Sequence, residues 1–319
     1  MPAEPMPLRA QPGRTRIGWI GTGVMGAAMA GHLIRAGYEV SVTTRTRERA
    51  EPLLDAGATW VDEPAAIAAQ SDIVVTMVGF PDEVRAVLLG PNGALVAARP
   101  GTVVVDMSTN DPTLTVELAE TGRAKGVHVL DAPVSGGDVG ARAGTLSIMV
   151  GGDADAFAAV LPCFEAMGST VVHQGGPGAG QRTKLVNQVL VADTMVGVCE
   201  ALLYAHRTGL DVDRVLESVA TGAAGSWGLS NLGPRIIAGD FAPGFLVDHL
   251  VKDLGLVLAD ADRVGLRLPG LALAHELYLA LQEQGRGRDG TQSLVHALAA
   301  VSDLSWPPAA TGSGTPPEI

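Results

Sequence analysis

The sequence predicts a mostly parallel, doubly wound α/β domain followed by an all-helical domain, the two joined by one long helix. Three observations predict it. Short β-branched runs alternate with helical stretches through the first half of the 319-residue chain, the pattern of a parallel sheet covered by helices on both faces. A Gly/Pro cluster at 175–180 (GGPGAG) ends that alternation. Beyond it the apolar residues recur with the helical period alone. Residues 1–13 then read as a flexible leader, 14–176 as the α/β domain, 177–306 as the helical domain and 307–319 (PPAATGSGTPPEI) as a disordered tail.

Taken in order, the apolar runs at 17–20, 40–43, 73–78, 102–105, 127–130, 146–150 and 170–172 are short and rich in Val and Ile, as strands buried on both faces require. Helical patterns follow most of them, for example at 25–36, 111–121 and 154–167. In the second half the helical stretches are 181–208, 212–221, 246–264, 271–283 and 293–298. The most apolar of these, residues 185–205, carries Asn187, Gln188, Asp193 and Glu200 and reads as a buried helix rather than a membrane span. The leader is Pro-rich without an apolar core, so no secretory signal is expected and the reading is cytoplasmic.

Composition narrows the function classes. Hydrophobic residues make up 47% of the chain and charged residues 18%, which suits a globular core. A net charge of −12 argues against nucleic acid as a partner, since phosphate backbones need a basic surface. Cys163 and Cys199 and the seven histidines fall into no ligand spacing, so two reduced thiols and no metal site are expected.

The first strand runs directly into Gly21-Thr22-Gly23-Val24-Met25-Gly26, which opens an amphipathic helix. This GxGxxG spacing is the dinucleotide fingerprint of a Rossmann domain. Gly21 permits the turn, Gly23 lets the backbone approach a pyrophosphate, and Gly26 lets helix and strand pack closely. Without the flanking strand and helix it would be an ordinary tight turn. The second strand ends in Thr43-Thr44-Arg45-Thr46-Arg47, with no acid to hold a ribose 2′-hydroxyl. Arg45 and Thr46 are placed to receive a 2′-phosphate, so NADP(H) is the expected cofactor, with NAD(H) the other candidate. Read blandly, the same arginines are a solvated helix start.

Two more segments carry polar residues that periodicity does not explain. In Asp131-Ala-Pro-Val-Ser135-Gly136-Gly137, Ser135 and the following N–H groups make a candidate nest for a carboxylate, although the bare segment is equally a turn. Farther on, Lys184, Asn187 and Gln188 stand at i, i+3 and i+4 on one face of the long helix, either as a polar cleft wall or as a solvated stripe.

These motifs together resemble the β-hydroxyacid dehydrogenase family, which includes 3-hydroxyisobutyrate dehydrogenase. The resemblance spans residues 16–298 through IGxGxMGxxMAxxLxxAG at 20–37, DMST at 106–109, DAPVSGG at 131–137, GxGxxxKLxNQ at 178–188 and KDLGL at 252–256. It implies Lys184 as the catalytic residue, Asn187 and Gln188 as amides that orient substrate and lysine, and Ser135, Gly136 and Gly137 as the carboxylate site. It also implies that Val78, Gly79, Thr109 and Lys252 contact the dinucleotide or close over it. Val78-Gly79 departs from the Leu-Pro common there, which makes any contact mostly one of backbone. Gln188 replaces the second Asn of enzymes acting on 3-hydroxyisobutyrate, leaving the substrate open among small β-hydroxyacids and semialdehydes.

The expected reaction moves a hydride between nicotinamide and substrate carbon while Lys184 exchanges a proton, which partial burial of the amine would favour near neutral pH. Imine reduction on a related scaffold is the alternative, but those enzymes usually carry Asp or Tyr in place of the lysine. A non-catalytic dinucleotide sensor would be expected to lose Lys184 or the DAPVSGG segment. A decarboxylating sugar-acid dehydrogenase would have a longer helical region. The apolar helical half predicts a homodimer or homotetramer.

Overall fold

The computed structural model describes residues 9–306. The chain divides into two compact units, Met1–Leu185 and Val186–Ile319. The sequence places the domain boundary at 176/177; the compact units divide a little later, inside the helix Ala179–Arg207, whose first turns are bonded to the sheet.

The first unit is one nine-stranded sheet among the described residues. Its strands are β1 (Arg16–Ile20), β2 (Glu39–Thr43), β3 (Thr59–Trp60), β4 (Ile73–Thr76), β5 (Val103–Asp106), β6 (His128–Asp131), β7 (Val134–Ser135), β8 (Leu146–Gly152) and β9 (Gly168–Gly175). They lie in the order β3-β2-β1-β4-β5-β6-β8-β7, with β9 beside β8. The six strands from β3 to β6 are all parallel, whereas β8 runs antiparallel to β6 and β7. The order 3-2-1-4-5-6 reverses direction between β1 and β4, which opens a crevice at the carboxyl ends of those strands.

β1, β4, β5 and β6 contribute to both faces, which is why β4 and β5 read as continuous apolar runs. Ile73 and Val75 pack on one side with Trp19, Met29, Leu33 and Phe164. Val74 and Val104 pack on the other with Ile67, Val84, Leu88 and Leu118. A fully buried aliphatic side chain of this kind stabilises by roughly 1.5–3 kcal/mol.

Residues 9–13, expected in the flexible leader, are held. Ala10 is buried, its N–H donates to Ala159 O at 2.8 Å, and Gly13 N donates to Gly37 O at 2.8 Å. The leader's first eight residues and the tail at 307–319 lie outside the described residues.

The second unit is helical, with Val212–Val219, Trp227–Ile237, Val247–Arg263, Pro269–Glu283 and Leu294–Val301 after the long helix. By length and composition alone Ala179–Arg207 would serve as a membrane span; within it Ala192, Met195, Val198, Cys199 and Leu202 are buried. Trp227–Ile237 is unread in the sequence because Gly228, Gly233 and Pro234 interrupt its pattern. It forms behind Ser226, whose hydroxyl accepts the Leu229 N–H at 3.0 Å. Cys163 and Cys199 are both free and buried.

Candidate active site

Parallel register aligns the strand ends. Thr43 pairs with Ile20, Ile20 with Thr76, Thr76 with Asp106 and Asp106 with Asp131. One row of residues therefore crosses the carboxyl edge of the sheet. The segments just beyond it hold Gly21–Gly26, Arg45, Thr46, Val78, Gly79, Thr109 and Ser135–Gly137.

The glycine turn follows β1. Gly21 has φ +98°, and a Cβ there would strike Met77 O. A Cβ on Gly26 would strike Gly21 O, so the helix Val24–Arg35 can sit this close to the strand only with glycine. Trp19 Nε1 donates to Gly21 O at 2.9 Å and fixes the turn from below. Gly23 fronts open space, and no side chain caps the helix start. Thr22 is buried, yet its Oγ1 has no hydrogen-bond partner among the described residues. An unused hydroxyl, uncapped helix N–H groups and bare backbone fit a pyrophosphate. Val24 and Met25 start the helix, Val24 exposed and Met25 half-buried.

Beyond β2, Arg45 is exposed and its Nη1 pairs with Glu83 Oε1 at 2.8 Å. Thr46 is exposed and caps nothing with its hydroxyl, while Arg47 stacks over Trp60 at 5.0 Å. Beyond β4, Val78 N donates to Ser108 Oγ at 3.0 Å and Gly79 N to Glu83 Oε2 at 2.9 Å. Both N–H groups are thus already bonded, which leaves the two carbonyls and the Val78 side chain for the expected contact with the dinucleotide. Thr109 is half-buried in the turn after β5.

A buried polar network that sequence reasoning missed lies under this edge. Asp106 accepts from Ser108 N at 3.1 Å, Thr76 Oγ1 at 2.9 Å and Asn110 Nδ2 at 3.2 Å. Burial pushes its carboxyl up to about 6, against those hydrogen bonds, which favour the charged form. Asp131 accepts from Gly178 N at 2.9 Å and Gln181 N at 2.7 Å, and burial raises its carboxyl too. Gln181 is fully buried; its Nε2 donates to Ser108 O at 2.8 Å and its Oε1 accepts from Asn110 N at 2.9 Å. The start of the long helix is therefore bolted to the ends of β5 and β6. Lys184, one turn on, is buried with 7% exposure.

Ser135 ends β7 opposite Ser147 of β8 and is half-buried. Gly136 and Gly137 follow with φ +126° and +61°, a pair that only glycine adopts readily, and open the helix Gly137–Ala143 without a side-chain cap. Successive N–H groups in such a turn form an anion-binding concavity.

In the second unit, Gln188 is buried and fully committed. Its Oε1 accepts from Asn187 Nδ2 at 2.8 Å and its Nε2 donates to Asp253 Oδ2 at 2.6 Å. Asp253 Oδ1 pairs with Lys252 Nζ at 2.8 Å, the carboxylate buried and the ammonium mostly so. Asn187, Gln188 and Lys252 are thus brought together through Asp253, a residue to which the sequence alone assigns no role. The usable signal was an acid beside Lys252 at the helical spacing of the apolar residues Leu250, Leu254 and Val257. Among the described residues no group of His, Cys, Asp or Glu could hold a metal ion.

A glycine turn at the switch point of such a sheet, followed by a helical unit, is the architecture of a dinucleotide-binding protein. Residues 16–176 match the family described as the NAD binding domain of 6-phosphogluconate dehydrogenase. Residues 178–298 match the NAD-binding domain of NADP-dependent 3-hydroxyisobutyrate dehydrogenase. The chain is 51% identical to the probable 3-hydroxyisobutyrate dehydrogenase-like 1, mitochondrial, of Arabidopsis thaliana, over 92% of this chain and 88% of that one. It is 41% identical to the 2-hydroxy-3-oxopropionate reductase of Escherichia coli, over 90% and 98%. The structure of Mycobacterium tuberculosis 3-hydroxyisobutyrate dehydrogenase with L-serine superposes with TM-score 0.82 at 30% identity, over 89% and 99%. The chain belongs to the β-hydroxyacid dehydrogenase family and is a 3-hydroxyisobutyrate dehydrogenase-like, NAD(P)-dependent oxidoreductase.

Proposed function

We propose that this enzyme oxidises a small β-hydroxyacid, or reduces the matching semialdehyde, with NADP(H) preferred and Lys184 as general acid and base. The observation that carries the reading is the placement of Lys184: a buried lysine one turn into a helix that Asp131 bolts to the sheet edge bearing the glycine turn. When bound, the nicotinamide supplies a hydride in reduction and accepts one in oxidation. Lys184 gives a proton to the substrate oxygen in the first direction and takes it back in the second. Ser135 and the N–H groups of Gly136 and Gly137 hold the carboxylate. Asn187 orients the substrate, while Gln188, locked to Asp253, orients Asn187. Gly21–Gly26 cradle the pyrophosphate, and Val78, Gly79 and Thr109 line the dinucleotide site, to which the family resemblance assigns Lys252 as well.

The substrate class is supported by the Escherichia coli relative, a 2-hydroxy-3-oxopropionate reductase, and by the L-serine in the mycobacterial structure, itself a carboxylate with a β-hydroxyl. Preference for NADP(H) over NAD(H) rests on Arg45 and Thr46 standing where an acid would bind the 2′-hydroxyl. Imine reduction is the weaker reading, because Lys184 occupies the helix position and two relatives, at 51% and 41% identity, carry the names of a 3-hydroxyisobutyrate dehydrogenase-like protein and a 2-hydroxy-3-oxopropionate reductase. Exposed Leu190, Tyr204, Trp227 and Leu273 in the second unit favour a homodimer or homotetramer.

The test is a panel of small aldehyde and keto acids, each paired with its methyl ester. Loss of the carboxylate should remove most of kcat/KM. Lys184→Ala should lower kcat by about two to four orders of magnitude. Equal turnover of acid and ester, or a fully active alanine variant, would refute the assignment.

A further inference from the structure

β2 and β4 flank β1 in the sheet, so the segments leaving their ends stand on either side of the glycine turn. Arg45 belongs to the first segment. Glu83 belongs to the second, in the opening turn of the helix Pro81–Leu89. The two side chains join those segments, with Arg45 Nη1 and Glu83 Oε1 at 2.8 Å.

The partners are unequally held. Glu83 Oε2 accepts the Gly79 N–H at 2.9 Å, and its charge lies at the positive end of its own helix. Its side chain is 27% exposed, whereas that of Arg45 is 86% exposed. The carboxylate is the anchored member and the guanidinium the movable one.

We propose that Glu83 is a specificity-determining residue, which competes with the 2′-phosphate of NADP(H) for Arg45 and so narrows the margin over NAD(H). This rests on the reading of Arg45 as the 2′-phosphate partner. A cofactor with a plain 2′-hydroxyl leaves the Arg45–Glu83 pair in place. A 2′-phosphate must draw the guanidinium away from a carboxylate that cannot follow, because Gly79 and the helix start hold it.

Magnitudes decide the outcome. An exposed ion pair is worth a factor of about five or less, and arginine–phosphate contacts are stronger, so the phosphate wins Arg45. Glu83 reduces the preference without reversing it. It also acts from the β4 side of the turn, away from the second-strand end where dinucleotide preference is normally read.

The experiment is calorimetric titration of the intact enzyme with 2′,5′-ADP and 5′-AMP, and with NADPH and NADH, at fixed low ionic strength. The proteins are wild type, Glu83→Gln, Arg45→Ala and the double variant. Glutamine keeps an acceptor for Gly79 N while removing the charge, and thermal melts verify folding. Glu83→Gln should tighten 2′,5′-ADP and NADPH by about three- to fivefold and leave 5′-AMP and NADH within about twofold. In the Arg45→Ala background the same change should shift no ligand by more than about twofold.

Equal changes for both ligand pairs, weaker binding of 2′,5′-ADP, or an undiminished effect without Arg45 would each overturn the proposal. If Arg45→Ala alone leaves 2′,5′-ADP binding unchanged, the cofactor reading itself fails, whatever Glu83→Gln does.

Discussion

Replacing Asp131 by alanine should separate catalysis from cofactor binding. The carboxylate accepts from Gly178 N and Gln181 N, and both donors lie at the buried start of the helix that carries Lys184. Each buried N–H left without an acceptor costs about 1–3 kcal/mol. Two are at risk, but water entering the vacated space recovers part of that loss. Burial also raises the Asp131 carboxyl, so removing the charge returns some of its desolvation cost. The net destabilisation should be about 1–3 kcal/mol, read from the urea midpoint at unchanged m-value. Freed of its bolt, the first turn relaxes and Lys184 moves with it. A displacement of about an ångström at a catalytic group costs on the order of 100-fold in rate, so kcat should fall by about one to two orders of magnitude. NADPH affinity should stay within about twofold, because the glycine turn and Arg45 follow β1 and β2 rather than β6. A variant with wild-type kcat, or one losing cofactor affinity in parallel with kcat, would refute the idea that Asp131 places the lysine.

Three further outcomes are expected. Wild-type kcat/KM should favour NADPH over NADH by at least about tenfold, and Arg45→Asp should erase or invert that ratio; a wild type preferring NADH would sink the reading of this loop. Asp106 ties stability to pH. Its folded carboxyl is raised to about 6 from an ordinary 3.8, so its contribution is full below the lower value and is lost as pH rises through the upper one. Against Asp106→Asn, which does not titrate, the wild type should therefore lose about 2–3 kcal/mol of relative stability between about pH 4 and 7, and a pH-independent difference would contradict this. Light scattering at micromolar concentration should return a dimer or tetramer mass, and a monomer would overturn the assembly proposal.

Strands and glycine turn were legible because their causes are local. A strand buried on both faces must be apolar along its length, as β4 and β5 are up to their last residues, Thr76 and Asp106, and a turn this tight leaves no room for a Cβ at Gly21 or Gly26. Edge elements were harder. β3 is two residues long and β7 likewise, too short for any periodicity to register.

The buried acids were illegible for a different reason. Asp106 and Asp131 each end an apolar run, where an acid reads as the first residue of a loop. Asp131 meets the N–H of Gln181, a residue 50 positions later, and nothing near either in the chain announces the pairing. The same holds for Asp253, whose partner Gln188 lies 65 positions earlier. The motifs DMST, DAPVSGG and KDLGL contain all three acids, yet the roles read from them go to residues that would touch ligand and not to those that hold them still. Gln188 belongs to the second kind. Its place beside Asn187 suggests a substrate contact, but both ends of its amide are spent inside the protein. A residue that is 1% exposed and doubly bonded acts on chemistry by fixing its neighbour. Exchanging Gln188 for the Asn of the related enzymes would shorten the reach to Asp253 and release Asn187, so this difference bears on substrate choice through the orientation of Asn187.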